Sequence, residues 1–189
     1  YTVREIVSSM NHALAADNMT SKALKKYFGN PKTPPLEPTS VLPFSSERKL
    51  SAVAFKGAGT FILGAPEFVL KVKNQRVEDL CAKYAAEGLR VLLLAHATGS
   101  LSGKKSIPEV RRPVAVIVIE DHIREDAEKT IDWFKQNGVA VKVISGDNPV
   151  TVSNIAMRVG IENADKYVSL DGMTEEQVIA AATEYTVFG

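Results

Sequence analysis

The stretch VAVKVISGDNPVT, residues 139–151, decides how the second half of the chain folds. An apolar run, interrupted only by Lys142, ends in Ser-Gly-Asp-Asn, and a proline follows at once. The run predicts a buried strand over 139–144, and Asn148 with Pro149 predicts the first turn of a helix over 148–159. The polar tetrapeptide therefore lies at the carboxyl end of a strand and directly before a helix.

This position favours the binding of an anion. In open α/β sheets, ligands bind beyond the carboxyl ends of the strands, and backbone N–H groups at a helix N-terminus receive phosphate. Ser145 adds a hydroxyl donor, and Gly146 allows close approach of a ligand to the backbone. Asp147 is itself an anion, which predicts a cation or a fixed hydrogen bond beside it. A turn with an N-cap and no ligand is the alternative, and this stretch alone leaves both open.

The second part of the chain, 121–189, alternates helices with strands. This alternation of helices and strands predicts a parallel, doubly wound sheet. A capping box of Thr174 and Gln177 begins the last predicted helix. The other predicted elements are a helix over 125–136, the strand over 139–144, the helix over 148–159 and a short strand over 167–168.

The first part of the chain, 1–120, has a different order of predicted helices and strands. Residues 29–43 hold five of the nine prolines and predict an extended loop. Helices come first and neighbouring strands later, which predicts an α+β domain with an antiparallel sheet. The predicted elements are helices over 3–16, 20–28 and 75–87, a hairpin of strands 50–56 and 60–63 around three residues containing two glycines, and strands over 89–95 and 114–119.

The bulk composition excludes several classes of function. The chain has 189 residues, is 45% hydrophobic and 24% charged, and has a net charge of +1 without long charged blocks, so nucleic acid is not a predicted partner. The single cysteine, Cys81, excludes an intrachain disulfide framework. The three histidines are far apart in sequence, so no metal site is predicted. No apolar run approaches the roughly 20 residues that span a bilayer.

Residues 118–161, VIEDHIREDAEKTIDWFKQNGVAVKVISGDNPVTVSNIAMRVGI, resemble the second half of the phosphorylation domain of P-type cation-transporting ATPases. The family's Asp-Pro-Pro-Arg hinge matches positions 121–124, where Asp121 and Arg124 are kept and both prolines are absent. Its Thr-Gly-Asp-Asn motif matches positions 145–148, with serine in place of threonine. The resemblance implies a partial haloacid-dehalogenase-like, Rossmann-type domain over 121–189.

The same resemblance implies roles for these residues. Ser145 and Gly146 would hold the transferred phosphoryl group, and Asp147 with Asn148 would organise the site. In-line phosphoryl transfer depends mostly on positioning and on charge neutralisation. Closure about Asp121 and Arg124 would control when the transfer happens.

Three motifs in the first part resemble the nucleotide domain of the same family: FSSERK (44–49), GAPE (64–67) and EGLRVLLLA (87–95). Carried over by position, Phe44 would stack on adenine, while Arg48 and Lys49 would line the nucleotide pocket. Gly64 would let the nucleotide lie close, and Arg90 would approach its phosphates. An aromatic face suits a purine, and cations suit a triphosphate. The resemblance thus implies a nucleotide-binding domain over 1–120.

Two departures from the family bear on this pocket. Leu63 stands where the family has a lysine, and Ser21 stands where many members have glutamate. If Leu63 pairs with Val53 across the hairpin, strand alternation puts Lys49, Val53 and Leu63 on one face. Lys56 then lies on the other face and is a poor substitute, so we expect weak ATP binding.

The family's phosphorylated Asp-Lys-Thr-Gly-Thr motif and its magnesium-binding Gly-Asp-Gly-Val-Asn-Asp motif do not occur in this sequence. We therefore expect a cytoplasmic piece of a cell-membrane pump that uses ATP and Mg²⁺, with the rest of the same polypeptide as its partner. The sequence does not name the transported cation, and calcium is an expectation by resemblance alone. We expect that the piece alone is not catalytically competent. Two alternatives are a stand-alone phosphatase of the haloacid dehalogenase type and a non-catalytic nucleotide-binding module.

Overall fold

The computed structural model describes residues 1–101, 106–120 and 123–189. Within them the chain forms two compact units. The first comprises Tyr1–Cys81 with Val91–Ile119, and the second comprises Ala82–Arg90 with Glu120–Gly189. The predicted hinge residue Asp121 lies outside the described residues.

The first unit is built on an antiparallel sheet, as the sequence predicts. The described part of the chain contributes five strands in the order β1-β2-β3-β4-β5. Each neighbouring pair from β1 to β4 is antiparallel. The strands are β1 (Pro38–Ser45), β2 (Leu50–Phe55), β3 (Gly59–Gly64), β4 (Arg90–Ala97) and β5 (Arg112–Ile119).

Strand β1 corrects the prediction of a loop over 29–43. Pro38 and Pro43 both lie in it, at the edge of the sheet. Its pairing with β2 is irregular between Pro38 and Ser40 and again between Leu42 and Ser45. Proline cannot donate to a ladder, but an edge strand with irregular pairing tolerates it. The proline content therefore concealed a strand.

Helices cover both faces of this sheet. They are α1 (Val3–Leu14), α2 (Met19–Phe28), α3 (Pro66–Val69) and α4 (Gln75–Ala86), of which the short α3 was not predicted. Because side chains alternate along a strand, neighbouring residues enter different cores. Val53 and Leu63 pack with α1 and α2, whereas Ala52 and Ile62 pack on the opposite face, with α3 and α4.

The hairpin register differs from the prediction. Leu63 pairs with Ser51, and Val53 pairs with Phe61. A shift of two residues preserves the face, so Val53 and Leu63 share one core as expected. Lys49 does not follow them: its φ of 49° breaks the alternation, and its ammonium lies 5.3 Å from the centre of the Phe68 ring, on the other core. The predicted common face of Lys49 and Leu63 is wrong.

The second unit contains the predicted parallel sheet. In the described residues its three strands have the order β6-β8-β7, and β8 is parallel to both neighbours. The strands are β6 (Val143–Ile144), β7 (Tyr167–Val168) and β8 (Val187–Phe188), and the helices are α5 (Ala127–Gln136), α6 (Pro149–Arg158) and α7 (Glu175–Glu184).

Two features of this sheet differ from expectation. Strand β6 is shorter than the predicted strand over 139–144, and the central strand β8 was not predicted. Val187 of β8 is fully buried against Val152 and Ala156 of α6. The core of this unit therefore holds α6 against the centre of the sheet.

Candidate functional site

The loop of residues 145–148 lies between β6 and α6, at the carboxyl end of the strand. The Ser145 backbone N–H donates to the Phe188 carbonyl at 2.9 Å, and the Ser145 hydroxyl accepts from the Asp147 N–H at 3.1 Å. Asn148 caps α6, since its side-chain oxygen accepts from the Val150 N–H at 3.0 Å. The predicted strand, turn and capped helix are all present. This loop is called the phosphate loop below, after the role that the family resemblance implies for it.

Gly146 has no packing reason to be glycine. A Cβ built at this position meets no atom within 4 Å, and its φ lies outside the left-handed region. The loop is therefore open on this side. The backbone at Gly146 is therefore accessible, and its role in binding a ligand stays a prediction.

Asp147 has the cationic neighbour that the sequence predicts, and that neighbour is Arg90. The Arg90 Nη2 donates to Asp147 Oδ2 at 2.7 Å, and the two side chains are 26% and 41% exposed. Both residues belong to the second compact unit. The sequence assigned Arg90 to the nucleotide phosphates, and the structure places it beside the phosphate loop.

Helix α6 holds the segment that carries Arg90. The Thr151 hydroxyl donates to the Leu89 carbonyl at 3.4 Å, and the Asn154 amide donates to the Ala85 carbonyl at 3.5 Å. Gly88 ends α4 with a φ of +74°, and its Cβ position lies 3.4 Å from Asn154 Cβ. These contacts hold the backbone on the N-terminal side of Arg90 in place. The Arg90 guanidinium therefore contacts Asp147 from a backbone position that α6 fixes.

The other predicted nucleotide residues lie around one turn of the first unit. Phe44 is 55% exposed at the end of β1, so its ring is accessible. The Arg48 guanidinium donates to the Pro43 carbonyl at 3.1 Å, and the Lys49 N–H donates to the Ser45 carbonyl at 2.8 Å. Phe44, Arg48 and Lys49 thus lie on or beside the same turn, and their common role in nucleotide binding stays a prediction.

Gly64 adjoins the same turn and has a packing reason to be glycine. A Cβ at this position would collide with the Lys49 carbonyl oxygen and would lie 2.5 Å from Leu50 Cα. The next residue, Ala65, donates its N–H to the Lys49 carbonyl at 2.9 Å. Gly64 therefore lets the end of β3 pack against the backbone that carries Lys49.

The two positions that depart from the family are occupied by structural side chains. Leu63 is 6% exposed in the core beneath α1 and α2. The Ser21 hydroxyl accepts from the Asn18 N–H at 3.0 Å and lies 2.9 Å from the Ala16 carbonyl. Ser21 thereby completes the capping box of α2. Sequence reasoning missed this role of Ser21, although its position three residues after Asn18 is the spacing of a capping box.

Arg124, the described half of the predicted hinge pair, forms a local ion pair. Its guanidinium donates to both carboxylate oxygens of Asp126, at 3.0 and 2.8 Å. The hydrogen bond from Arg124 lowers the pKa of Asp126, and the same bond raises the pKa of Arg124. This pair lies just before α5 in an exposed position, so it organises the chain locally.

Among the residues that the structure describes, no group of three or more His, Cys, Asp and Glu side chains could hold a metal ion. The carboxylate of the phosphate loop is already paired with Arg90. Magnesium prefers several oxygen ligands in octahedral geometry. The described residues therefore do not fit a protein-held Mg²⁺.

The amino-acid sequence is 38% identical over 173 residues to a probable cation-transporting ATPase of Streptococcus pneumoniae. The aligned residues make up 91% of this chain and 22% of the relative. It is 32% identical over 188 residues to the calcium-transporting ATPase CtpE of Mycobacterium tuberculosis, and this alignment covers the whole chain and 23% of the relative. A P-type magnesium-transporting ATPase of Salmonella typhimurium is 34% identical over 132 residues, or 64% of this chain and 14% of the relative.

These names confirm the resemblance to cation-transporting ATPases, and the chain spans less than a quarter of the length of each of these relatives. In the described residues no helix has the length and apolar character needed to cross a membrane. A family model described as haloacid dehalogenase-like hydrolase matches residues 5–183. Since that match covers nearly the whole sequence, the chain belongs to the haloacid dehalogenase-like hydrolases.

Proposed function

We propose that this chain is the ATP-binding part of a P-type cation-transporting ATPase, joined to part of its phosphorylation domain. The observation that carries the proposal is the phosphate loop: a glycine open to ligand, at a helix N-terminus, with a cation held beside its aspartate. The similarity to named cation-transporting ATPases supports it over nearly the full length of the chain.

In this proposal the nucleotide binds at the turn of the first unit. The exposed ring of Phe44 stacks on adenine, and stacking needs only an accessible aromatic face. The guanidinium of Arg48 and the ammonium of Lys49 contact the phosphates through charge-assisted hydrogen bonds. Gly64 lets the end of β3 pack against the backbone of this turn, and this packing holds the backbone that carries the two cations in place.

The phosphate loop receives the phosphoryl group. The Ser145 hydroxyl and the backbone at Gly146 donate to phosphoryl oxygens, and the positive end of α6 favours their charge. Arg90 neutralises Asp147, which would otherwise repel the incoming anion. Asn148 fixes the first turn of α6 and thereby the direction of its N–H groups.

The whole protein would couple ATP hydrolysis, through an aspartyl-phosphate, to cation transport across the cell membrane. The Asp-Lys-Thr-Gly-Thr motif is absent from this chain. In this proposal the phosphorylated aspartate would come from another part of the same polypeptide. This chain would then lie on the cytoplasmic side, where ATP is available, and would be inactive alone. Calcium is the proposed cation because the mycobacterial relative is named for it. Mg²⁺ would enter with the nucleotide.

The test of the transport function uses the full-length protein in inverted membrane vesicles. ATP should drive saturable uptake of Ca²⁺, and a Ser145→Ala variant should take it up more slowly while remaining inserted. Glu184→Gln, an exposed change at the end of α7, serves as the matched control and should transport normally. A full-length protein that hydrolyses phosphate monoesters, without ATP-driven uptake of any cation, would establish the phosphatase alternative instead.

A further inference from the structure

Gly189 directly follows β8 and touches the phosphate loop on its packed side. A Cβ at this position would lie 2.7 Å from the Asp147 carbonyl oxygen and 2.9 Å from Cα of Pro149. Both distances are below 3.0 Å, which real Cβ atoms essentially never show. Both contacts involve backbone atoms, so neither can be relieved by a side-chain rotation.

The backbone of Gly189 is held in place by strand hydrogen bonds. Its N–H donates to the Val168 carbonyl at 3.1 Å, and its carbonyl accepts from the Leu170 N–H at 2.8 Å. The preceding carbonyl, of Phe188, accepts from the Ser145 N–H at 2.9 Å. A side chain at position 189 therefore cannot swing away with its strand unless these bonds break.

The phosphate loop is also stiff where it meets Gly189. Pro149 has a φ restricted by its ring, and Asn148 caps the helix that begins there. A side chain at position 189 would thus displace the loop and the first turn of α6 together. Because the Asp147 backbone would move, its carboxylate would also move relative to Arg90.

We propose that Gly189 is a positioning residue, which sets the location of the phosphate loop by the absence of a side chain. A Cβ at Gly146 would meet open space, whereas Gly189 lies where the loop packs against the residues that follow β8. This inference rests on the proposed function of the loop as a phosphoryl site. Gly189 does not touch the phosphoryl group itself and acts through Asp147 and Pro149.

The test compares Gly189→Ala with the matched control Val187→Ala in the ¹⁵N-labelled chain. Val187 lies two residues earlier, in β8, and is fully buried, and its truncation adds no atom near the loop. The first readout is the amide resonances of residues 145–150 without ligand. The second is their response to titration with inorganic phosphate, under conditions in which both variants remain folded.

We expect Gly189→Ala to shift the resonances of Asp147 and Val150 and to weaken phosphate binding about tenfold, since small misplacements cost up to about 100-fold at a reaction centre. Val187→Ala should lower the thermal midpoint but bind phosphate like the parent. Unchanged loop resonances in Gly189→Ala, or an equal loss of phosphate affinity in Val187→Ala, would overturn the inference. If the parent chain itself binds no phosphate, the proposed loop function fails, and the ligand-free resonances alone decide whether Gly189 positions the loop.

Discussion

Arg90 Nη2 and Asp147 Oδ2 lie 2.7 Å apart, although 57 residues separate them in the sequence. One residue was predicted to contact nucleotide phosphates, and the other to organise the phosphoryl site. Under the proposed function, this contact balances the charge of Asp147 before a phosphoryl group reaches the loop. An incoming anion therefore meets a neutral pair instead of a bare carboxylate.

Removal of Arg90 should lower both stability and anion binding. A hydrogen bond to a charged group contributes about 1.5–3 kcal/mol, and solvent screening of this partly exposed pair lowers that contribution. Arg90→Gln should therefore lower the free energy of unfolding by about 1 kcal/mol. Urea denaturation measures this loss. Phosphate titration should show weaker binding, because Asp147 then repels the ligand.

A double-mutant cycle with Asp147→Asn isolates the pair itself. The second change should cost less in the Arg90→Gln background than in the parent chain, with a coupling of about 1 kcal/mol. Arg124→Gln is the matched control, because it removes an arginine from an ion pair in which both side chains are exposed. It should cost less unfolding free energy than Arg90→Gln. Additive costs for Arg90→Gln and Asp147→Asn would show that the contact contributes nothing.

Leu63→Lys should destabilise the protein instead of strengthening its nucleotide pocket. The side chain is 6% exposed in an apolar core, so a lysine there is an uncompensated buried charge, at a cost of about 3–5 kcal/mol. Leu63→Met keeps the volume and should cost less than about 1.5 kcal/mol. Thermal denaturation of the two variants checks this. A stable Leu63→Lys chain that binds ATP more tightly would restore the sequence-based expectation.

Gly64→Ala and Gly146→Ala should have opposite consequences. Gly64→Ala should lose about 1–3 kcal/mol of stability, because its Cβ meets the backbone of Lys49 and Leu50. Gly146→Ala should leave stability within about 0.5 kcal/mol, because its Cβ points into open space, yet phosphate binding should weaken. Denaturation and phosphate titration of both variants give the comparison. Equal stabilities would refute the packing role of Gly64.

The reactivity of Cys81 should depend on two neighbouring carboxylates. Burial raises the pKa of the Cys81 thiol, and the charges of Glu67 and Glu78 raise it further. The thiolate is the reactive form, so alkylation by iodoacetamide should be slow near neutral pH and should accelerate as pH rises. Glu67→Gln or Glu78→Gln should shift this pH–rate profile to lower pH. Glu175→Gln, on α7, should leave it unchanged, and identical profiles for all three variants would contradict this account.

Local chemistry made most of the helices predictable. Thr174 and Gln177 form the capping box expected from their spacing, and Asn148 caps α6. Each of these signals lies within four residues of its effect. The antiparallel and parallel sheets also followed from the order of the elements, because helix and strand alternation constrains topology.

The missed features depend on distant partners. Strand β8 has two residues, too few for any periodic signal, and it forms only because β6 and β7 flank it. Strand β1 was hidden by its prolines, which an edge position tolerates. The contact between Arg90 and Asp147 depends on how α6 holds residues 85–89, which no spacing in the sequence encodes.

The nucleotide-binding function proposed above depends on Phe44 and the adjoining cations. Calorimetric titration of this chain with ATP and ADP, with and without Mg²⁺, tests it most directly, with Phe44→Ala as the variant. Tyr27→Ala is the matched control, since Tyr27 is also an exposed aromatic of the first unit. We expect saturable binding that is lost in Phe44→Ala and kept in Tyr27→Ala. Absence of binding at millimolar nucleotide, or equal binding by both variants, would contradict it.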